Sequence, residues 1–306
     1  MPGSAQWSLW SSRENQEAIS GDISKMYHRI LIPLEDQHVH RFLWREMKTD
    51  WEPHTYVKTV LTFRDKPAPA MAQIALRKTA EEGESLSPHA AKTLKNNSYM
   101  DDILDSIHTV QQAQELTTGI DNVLEKGGFK VKAWQSNKGL SNNRDQKGGD
   151  VWNVLTGSVE DKVLGVVWNI TEDSFKFKVK NEAIEGLNST KLTNRSILSQ
   201  VERIFDPTGF AWPFLIPAKI GLQELWRQGS EWDEDLPSAV QQKWIALYRE
   251  MKELNKVSFQ ESLSPHQPAE HRPTVCIFAD ASHGAFGASA YIRWMTINEE
   301  HDVRFN

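Results

Sequence analysis

Apolar residues recur at helical spacing in the first half of the chain, which predicts amphipathic helices there. One stretch is 35–47, whose apolar side is formed by Val39, Phe42, Leu43 and Met47. A second covers 67–82 and begins at prolines, which are favoured in the first turn of a helix. A third begins after Thr109, a capping residue, and ends at Gly127, since glycine tolerates the backbone of a helix end. Residues 1–17 carry no such pattern and are predicted to be irregular.

Strands are predicted where apolar residues alternate with polar ones or form short apolar runs. Residues 18–23 form a short apolar run that reads as a buried strand, and 56–63 is predicted to be extended. Residues 129–133 alternate between apolar side chains and lysines, which indicates a half-buried strand. The stretches 163–170 and 174–180 are predicted to pair as a hairpin.

The second half of the chain is predicted to be mainly helical before it returns to strands. One helix is capped by Thr193, one lies around 214–228, and a third follows Pro237. The proline-containing stretch 261–273 reads as a linker. Residues 274–294 then form two apolar strands of an antiparallel hairpin, with an acid near the end of the first strand.

Length and composition indicate a folded protein of two or three domains. The chain has 306 residues, 39% of them hydrophobic, with 12 tryptophans, which exceeds one typical domain. We expect no membrane-spanning helix, because no run of about 18 apolar residues occurs, and the N-terminus lacks a signal-peptide pattern. The single cysteine, Cys276, excludes an internal disulfide and suits a reducing compartment. We therefore expect an intracellular, cytoplasmic protein.

Charge argues against indiscriminate binding of nucleic acid, since the net charge is −6. A local exception is the basic stretch 126–147, which contains Lys126, Lys130, Lys132, Lys138, Arg144 and Lys147. This stretch fits a phosphate contact and a solvated loop equally well. His266, His271 and His283 come nearest to a histidine cluster, but they lack zinc spacing and are predicted to lie in surface loops.

Three acidic residues form the strongest chemical signal. Asp101 and Asp102 lie within the apolar run 98–104, where a tight hairpin would put both at its tip. Asp22 lies at the end of the predicted strand 18–23. Adjacent carboxylates repel unless a cation neutralises them, and Mg²⁺ prefers such oxygen ligands. The three acids together predict a magnesium site, whereas Asp101 and Asp102 alone would favour a plain surface turn.

Two motifs built on these acids resemble the polymerase palm of reverse transcriptases. Asp22 and Tyr27 form Asp-x4-Tyr, and Tyr99–Asp102 forms Tyr-x-Asp-Asp. From about residue 13 to the end, the chain resembles the pol polyprotein of BEL/Pao-type LTR retrotransposons, including the segment catalogued as a Pao retrotransposon peptidase. The segments that carry this wider resemblance are 56–63, 66–80, 127–137, 205–210 and 232–237.

The resemblance implies an α+β fold. It implies a polymerase palm, an antiparallel sheet with helices, that keeps remnant fingers over 1–150. A mostly helical thumb or connection region over 151–262 follows, and a linker spans 263–273. A truncated ribonuclease H-like hairpin occupies 274–306.

The resemblance also implies RNA-directed DNA synthesis with two Mg²⁺ ions, on an RNA or DNA template–primer with deoxynucleotides. Asp22 and Asp101 would bridge both ions, and Asp102 would support them. Two-metal sites of this kind stabilise the attacking and leaving oxygens of an in-line displacement.

The same resemblance assigns a nucleotide site to Tyr27, Met100, Phe63, Arg64 and Lys132. Tyr27 would pack beneath the incoming sugar and exclude a 2′-hydroxyl, although a core aromatic would fit the same position. Met100 would lie near the primer terminus. Lys132 or Lys130 would be the general acid for pyrophosphate, because Ala133 stands where the family often has lysine.

Near the C-terminus, Asp280 stands where the resemblance places the first metal ligand of ribonuclease H. The catalogued peptidase activity is not supported by the sequence. Asp206-Pro207-Thr208-Gly209 has a proline between the acid and Thr-Gly, and no partner loop is apparent, whereas aspartic proteases need paired acids. We interpret this segment as a helix stop.

Three departures from the family favour an alternative function. Most of the fingers are expected to be missing ahead of Asp22, and the ribonuclease H part is expected to stop after about one hairpin. Arg64 stands where the family has a glycine, which lets the backbone approach the nucleotide. The alternative is a catalytically inactive relic that keeps residual nucleic-acid binding.

Overall fold

The computed structural model describes residues 5–138, 160–163, 166–170, 172–177, 179, 192–204, 206, 208–265 and 272–305. The chain divides into two units. Unit one comprises Met1–Ser12 and Glu17–Val154, and unit two comprises Arg13–Gln16 and Leu155–Asn306. Each helix among the described residues is too short or too polar to span a bilayer.

The described residues of unit one form four helices and six strands. The helices are α1 (Ala5–Ser12), α2 (Ala68–Glu82), α3 (Pro88–Asn96) and α4 (Val110–Lys126). The strands are β1 (Glu17–Ile23), β2 (Arg41–Trp44), β3 (His54–Val57), β4 (Ser98–Tyr99), β5 (Asp102–Ile107) and β6 (Val131–Ser136). Short 3-10 helices at Met26–Arg29 and Gln37–His40 follow β1 and precede β2.

The central sheet of unit one has the strand order β4-β5-β1-β6, and all its pairs are antiparallel. A single core joins the sheet to α2, α3 and α4; its fully buried members include Ile19, Leu76, Leu94, Ile103, Ile120 and Leu124. Burying such side chains contributes about 1.5–3 kcal/mol each. The sheet is therefore a rigid platform, and β1 lies in its interior.

Trp134 on β6 locks the position of β1. Its indole lies so close to Gly21 that a Cβ on that glycine would stand 2.6 Å from the tryptophan Cζ3. The indole Nε1 also donates a hydrogen bond to Asp121 Oδ1 on α4 at 3.1 Å. Glycine is required at position 21 because the ring occupies the space of a side chain.

Local sequence signals predicted several elements of unit one correctly. The Thr109 hydroxyl accepts from the Gln112 backbone N–H at 3.2 Å, and α4 ends at Gly127, followed by Gly128 with φ 77°. The predicted helix over 67–82 and the predicted strands at 18–23 and 129–133 are also confirmed. Their observed ends lie within three residues of the predicted ones.

Two predictions for unit one are wrong. The stretch 35–47 is not a helix, since only Gln37–His40 forms a 3-10 turn and β2 pairs with β3 over four registered residue pairs. The apolar residues expected to point inward, Val39, Phe42, Leu43 and Met47, are exposed. The region 1–17, predicted to be irregular, contains α1, which Ser106 Oγ on β5 contacts by donating to Ser11 O at 2.6 Å.

Unit two contains seven strands and three helices among its described residues. Its strands are β7 (Glu160–Val163), β8 (Val166–Asn169), β9 (Ser174–Lys176), β10 (Ser258–Gln260), β11 (Thr274–Ala281), β12 (Phe286–Met295) and β13 (His301–Phe305). Its helices are α5 (Asn194–Val201), α6 (Trp212–Arg227) and α7 (Ser238–Met251). The strand orders are β10-β9-β8-β7 and β11-β12-β13.

The sequence predictions for unit two are largely confirmed. Thr193 caps α5 through a capping box, and α7 begins after Pro237. The predicted hairpin over 274–294 is present, but β13 adds a third strand that the sequence analysis did not predict. The predicted linker lies only partly within the described residues, and so do the ends of the hairpin over 163–180.

Asp206 does more than end a helix. It accepts backbone hydrogen bonds from Gly209 at 2.9 Å and Ala211 at 2.8 Å, so it also fixes the entry into α6. Burial raises the pKa of Asp206, and the backbone donors oppose that shift. The carboxyl is engaged by its own loop, which agrees with interpreting this segment as a turn between helices.

Arg13 is a buried cation that joins several segments of unit two. It is 1% exposed, donates from Nε to the Glu261 carbonyl oxygen at 2.9 Å, and donates from Nη2 to the Phe305 carbonyl oxygen at 3.1 Å. Its guanidinium lies 5.2 Å from the ring centre of Phe210. Burial lowers the pKa of Arg13 to about 10, and the Glu261 carboxylate opposes that shift.

We predict that Gly21→Ala destabilises the protein by about 1–3 kcal/mol, because the added methyl overlaps the Trp134 ring and forces repacking. Chemical denaturation measures the effect. The matched control is Gly287→Ala, a strand position with nothing within 4 Å of an added Cβ. Equal unfolding free energies for the two variants would show that Trp134 does not constrain β1.

Candidate active site

The register of β1 and β5 brings two of the three predicted acids face to face. Asp22 is the direct partner of Asp102. The Ile23 N–H donates to the Asp101 carbonyl oxygen at 2.8 Å, which makes Asp22 and Asp102 a non-hydrogen-bonded pair. The Cα atoms of such pairs lie about 4.5 Å apart, closer than those of hydrogen-bonded pairs. The backbone alone therefore places two carboxylates side by side.

The third acid lies in the turn between β4 and β5. Tyr99 pairs with Asp102, which leaves Met100 and Asp101 as a two-residue turn. Met100 has φ 54°, and Asp101 is not among the residues with positive φ. This combination of signs is that of a type II′ hairpin turn, whose first central residue is left-handed. The predicted hairpin with the acids at its tip is present.

The donor chemistry of this cluster suits a hard divalent cation, since all its ligands would be carboxylate oxygens. Asp22 is exposed, and Asp101 and Asp102 are half-buried, so solvent reaches the group. Across the part of the chain that the structure describes, no set of three or more potential ligands is closed around one metal position. The backbone brings the acids together, while their side chains do not form a finished coordination shell.

An aromatic cluster borders the acids. The Tyr27 hydroxyl donates to Met100 Sδ at 3.7 Å, and the Tyr27 ring centre lies 4.9 Å from that of Phe63. Phe63 is 63% exposed, so one face of this cluster is open to solvent. Burial raises the pKa of Tyr27, and the nearby Asp101 carboxylate raises it further. Four of the residues singled out in the sequence thus lie together.

Gln73 belongs to the same cluster and was passed over in the sequence analysis. It lies on α2, where its Nε2 donates to the Met100 carbonyl oxygen at 3.3 Å. Its only sequence signal is a polar side chain between the buried positions Ala72 and Leu76. That signal does not reveal the partner, which lies 27 residues further along the chain.

Arg64 has a left-handed backbone with φ 74°. This is the position where the family resemblance expects glycine. Left-handed conformations cost an L-residue roughly 1–2 kcal/mol because of its Cβ. The loop after Phe63 therefore keeps a glycine-like geometry although the residue is arginine.

Lys132 lies on the strand that flanks Asp22 on its other side. Gly21 pairs with Trp134 and Ile23 pairs with Val131, so Lys132 and Ala133 together stand opposite Asp22 in a β-bulge. Bulges redirect side chains and occur often beside active sites. The Lys132 side chain is exposed. Of the described part of the basic stretch 126–147, Lys138 forms an ion pair with Glu17 at 2.6 Å.

Asp105 is a buried carboxyl on β5, the strand that carries Asp102. It accepts from Thr93 Oγ1 at 2.6 Å and from the Ser106 N–H at 2.8 Å, and it is 8% exposed. Burial raises the pKa of Asp105, and the hydrogen bonds from Thr93, Ser106 and Asn97 oppose that shift. This carboxyl ties α3 to the strand beneath the acid cluster.

The predicted ribonuclease H acid lies in unit two. Asp280 is on β11, paired with Gly287 of β12, and is exposed. Its Oδ1 accepts from the Ala281 N–H at 2.8 Å. His283 lies in the exposed turn that follows, whereas His266 and His271 lie outside the described residues.

One family model matches the C-terminal part of the chain. Residues 193–306 match the family model described as Pao retrotransposon-like RNaseH-like domain. The matched range begins at the cap of α5 and extends through β13. A comparison with curated proteins finds no match.

Solved structures of a foamy viral protease-reverse transcriptase are similar in fold. The complex with an RNA/DNA hybrid has a TM-score of 0.54 at 15% identity, covering 100% of this chain and 35% of that chain. The dRH form with double-stranded DNA has a TM-score of 0.52 at 15% identity, covering 97% and 45%. A further complex with double-stranded DNA has a TM-score of 0.50 at 13% identity, covering 100% and 54%.

At these identities the likeness shows the fold, an α+β arrangement with antiparallel sheets like that of a reverse transcriptase. This chain spans 35% to 54% of the length of those proteins. The family match covers residues 193–306, and the likeness of fold extends along the whole chain.

We predict that Arg64→Gly is more stable than Arg64→Ala by about 1 kcal/mol, because only glycine adopts φ 74° without a Cβ penalty. Thermal or urea unfolding of the two variants measures the difference. An alanine variant at least as stable as the glycine variant would mean that the loop does not hold this conformation in solution.

We predict that Asp105→Asn becomes progressively more stable than the wild type as pH rises from about 3 to 7. A raised pKa means that the folded state favours the protonated acid, so this stabilisation is lost above the ordinary value of about 3.9. Asparagine keeps the acceptor for Ser106 and offers Thr93 a donor without a charge. Urea unfolding across this pH range measures the stability of Asp105→Asn relative to the wild type, with the exposed Asp50→Asn as the control. The same pH dependence of the stability difference in both variants would contradict the prediction.

Proposed function

We propose that unit one is the polymerase core of a BEL/Pao-type retrotransposon reverse transcriptase, and that its acids bind Mg²⁺ for RNA-directed DNA synthesis. The pairing of Asp22 with Asp102 beside the turn residue Asp101 carries this proposal. Carboxylates forced together in this way repel one another unless a cation lies between them. If the three acids did not bind divalent ions, their close arrangement would have no functional explanation.

In this proposal, Asp22, Asp101 and Asp102 hold two ions. Bound Mg²⁺ supplies charge stabilisation for the attacking 3′-oxygen and the leaving pyrophosphate. Tyr27 and Phe63 form the aromatic surface against which the incoming sugar packs, and a 2′-hydroxyl is excluded by the Tyr27 ring. Met100 lies at the primer end of that surface.

Proton movement in the proposed reaction is assigned to a lysine. The primer 3′-hydroxyl gives its proton to solvent water as its oxygen bonds to the α-phosphorus, and the bond from that phosphorus to pyrophosphate breaks. Lys132 Nζ donates a proton to the pyrophosphate, since its strand position lies at the bulge opposite Asp22. Lys130 is the alternative donor on the same segment.

The proposed partners are an RNA or DNA template–primer and deoxynucleotides. Two kinds of observation support nucleic acid as the ligand. The structures of similar fold were obtained with an RNA/DNA hybrid or with double-stranded DNA. The matched family is described as RNaseH-like, and Asp280 is our proposed first acid of that second site.

A second candidate is an inactive relic that binds nucleic acid without extending a primer. Arg64 favours it, since a large side chain occupies the glycine-like position next to Phe63. The two candidates share a fold and differ in chemistry, so one assay separates them.

We predict Mg²⁺-dependent primer extension by the purified chain on a homopolymer template, lost by at least about 100-fold in Asp22→Asn and Asp101→Asn. A lost carboxylate removes several kcal/mol of charge stabilisation, and each 1.4 kcal/mol is tenfold in rate. The control Asp50→Asn, at an exposed position outside the cluster, should extend normally.

Contaminating polymerase would give extension that is equal in all variants, which would contradict the proposal. Salt-dependent binding of the template–primer without extension would identify the relic instead, because phosphate contacts release counterions. In that case Arg64→Gly shows whether the arginine side chain is what blocks the nucleotide.

A further inference from the structure

The turn between β4 and β5 is held from three directions. From β1, the Ile23 N–H reaches the Asp101 carbonyl oxygen at 2.8 Å. From the 3-10 turn after β1, the Tyr27 hydroxyl reaches Met100 Sδ at 3.7 Å. From α2, Gln73 Nε2 reaches the Met100 carbonyl oxygen at 3.3 Å. Only the last of these contacts is made to the peptide group that joins Met100 to Asp101.

That peptide group decides the type of the turn. Types I′ and II′ share a left-handed first residue and differ in the orientation of the central peptide, which turns over between them. Both types suit a two-residue hairpin. In type I′ the second residue, here Asp101, would also have positive φ, whereas Asp101 is absent from the residues with positive φ. The Gln73 donor is directed at the one carbonyl whose direction separates the two forms.

We infer that Gln73 is a positioning residue that holds the Met100–Asp101 peptide in its type II′ orientation and so keeps Asp101 in place beside Asp102 and Tyr27. The hydrogen bond stabilises one orientation only, because flipping the peptide turns the Met100 carbonyl away from α2. The functional side of this inference rests on the proposed polymerase function, whereas the structural side does not.

The position of Gln73 also connects this contact to the proposed nucleotide surface. It lies in the second turn of α2, the helix that follows the Phe63–Arg64 loop. Gln73 therefore links the helix next to the proposed nucleotide surface with the turn that carries Asp101. Movement of α2 on nucleotide binding would reach Asp101 through one hydrogen bond.

The test uses Gln73→Glu, which keeps the size of the side chain and removes the N–H donor. Gln73→Met removes the donor without adding charge and serves if the glutamate variant does not fold. Gln73→Lys restores an N–H donor on a side chain of sufficient length. The matched control is Gln112→Glu, at an exposed position on α4.

The structural readout is the nuclear Overhauser effect between the amide protons of Met100 and Asp101, which approach each other when the peptide flips to type I′. We expect a stronger effect in Gln73→Glu and Gln73→Met, and the wild-type pattern in Gln73→Lys and Gln112→Glu. A wild-type pattern in both donor-less variants would overturn the inference.

The functional readout is primer extension. Loss of one such hydrogen bond should lower kcat about tenfold in Gln73→Met, with KM for the template–primer unchanged, because the contact acts on Asp101 and not on nucleic acid. An altered KM with unchanged kcat would overturn the positioning role.

Failure of the polymerase proposal is distinguishable from failure of this inference. If the wild type extends no primer but the amide effect responds to Gln73, the proposed function is wrong and the control of the turn by Gln73 stands. If extension is normal in all Gln73 variants and the amide effect does not change, the inference alone is wrong.

Discussion

The pairing of Asp22 with Asp102 across two antiparallel strands is the constraint on which the account of unit one depends. A non-hydrogen-bonded pair is the closest approach that a sheet offers to two side chains, and like charges at such a pair are destabilising. The fold maintains this pair with rigid elements. Trp134 fills the space above Gly21 and binds Asp121 on α4, while Asp105 ties the neighbouring strand to α3. The core thus holds the acids together, and in the proposed site a bound cation offsets the repulsion between them.

Elements specified by neighbouring residues could be predicted from the sequence. Thr109 and Gly127 bound α4 through hydrogen bonds within a few residues of each helix end, so their effect is visible in the sequence. The stretch 35–47 could not be assigned in this way. Its apolar spacing fits a helix, but hydrogen bonds to β3 determine its backbone, and β3 begins ten residues beyond the end of β2. Long-range pairing prevails there over local periodicity.

The candidate site likewise combines residues that local motifs predicted with residues that only long-range contacts reveal. Asp22, Asp101, Asp102 and Tyr27 were found through two motifs, each confined to a few residues, and the structure brings them to one region. Gln73 and the close fit of Gly21 under Trp134 were missed, because each depends on a distance between elements far apart in sequence. Arg64 is intermediate: the resemblance marked its position as unusual, and only the backbone angle of 74° shows that the glycine geometry persists.

The most direct measurement is to place a paramagnetic divalent ion on the folded chain. With Mn²⁺ in place of Mg²⁺, the account predicts selective broadening of the amide resonances of Ile23, Asp101 and Asp102, which Asp22→Asn abolishes. Broadening that leaves these three resonances unaffected, or that persists in Asp22→Asn, would contradict a metal site built on the pairing of β1 with β5.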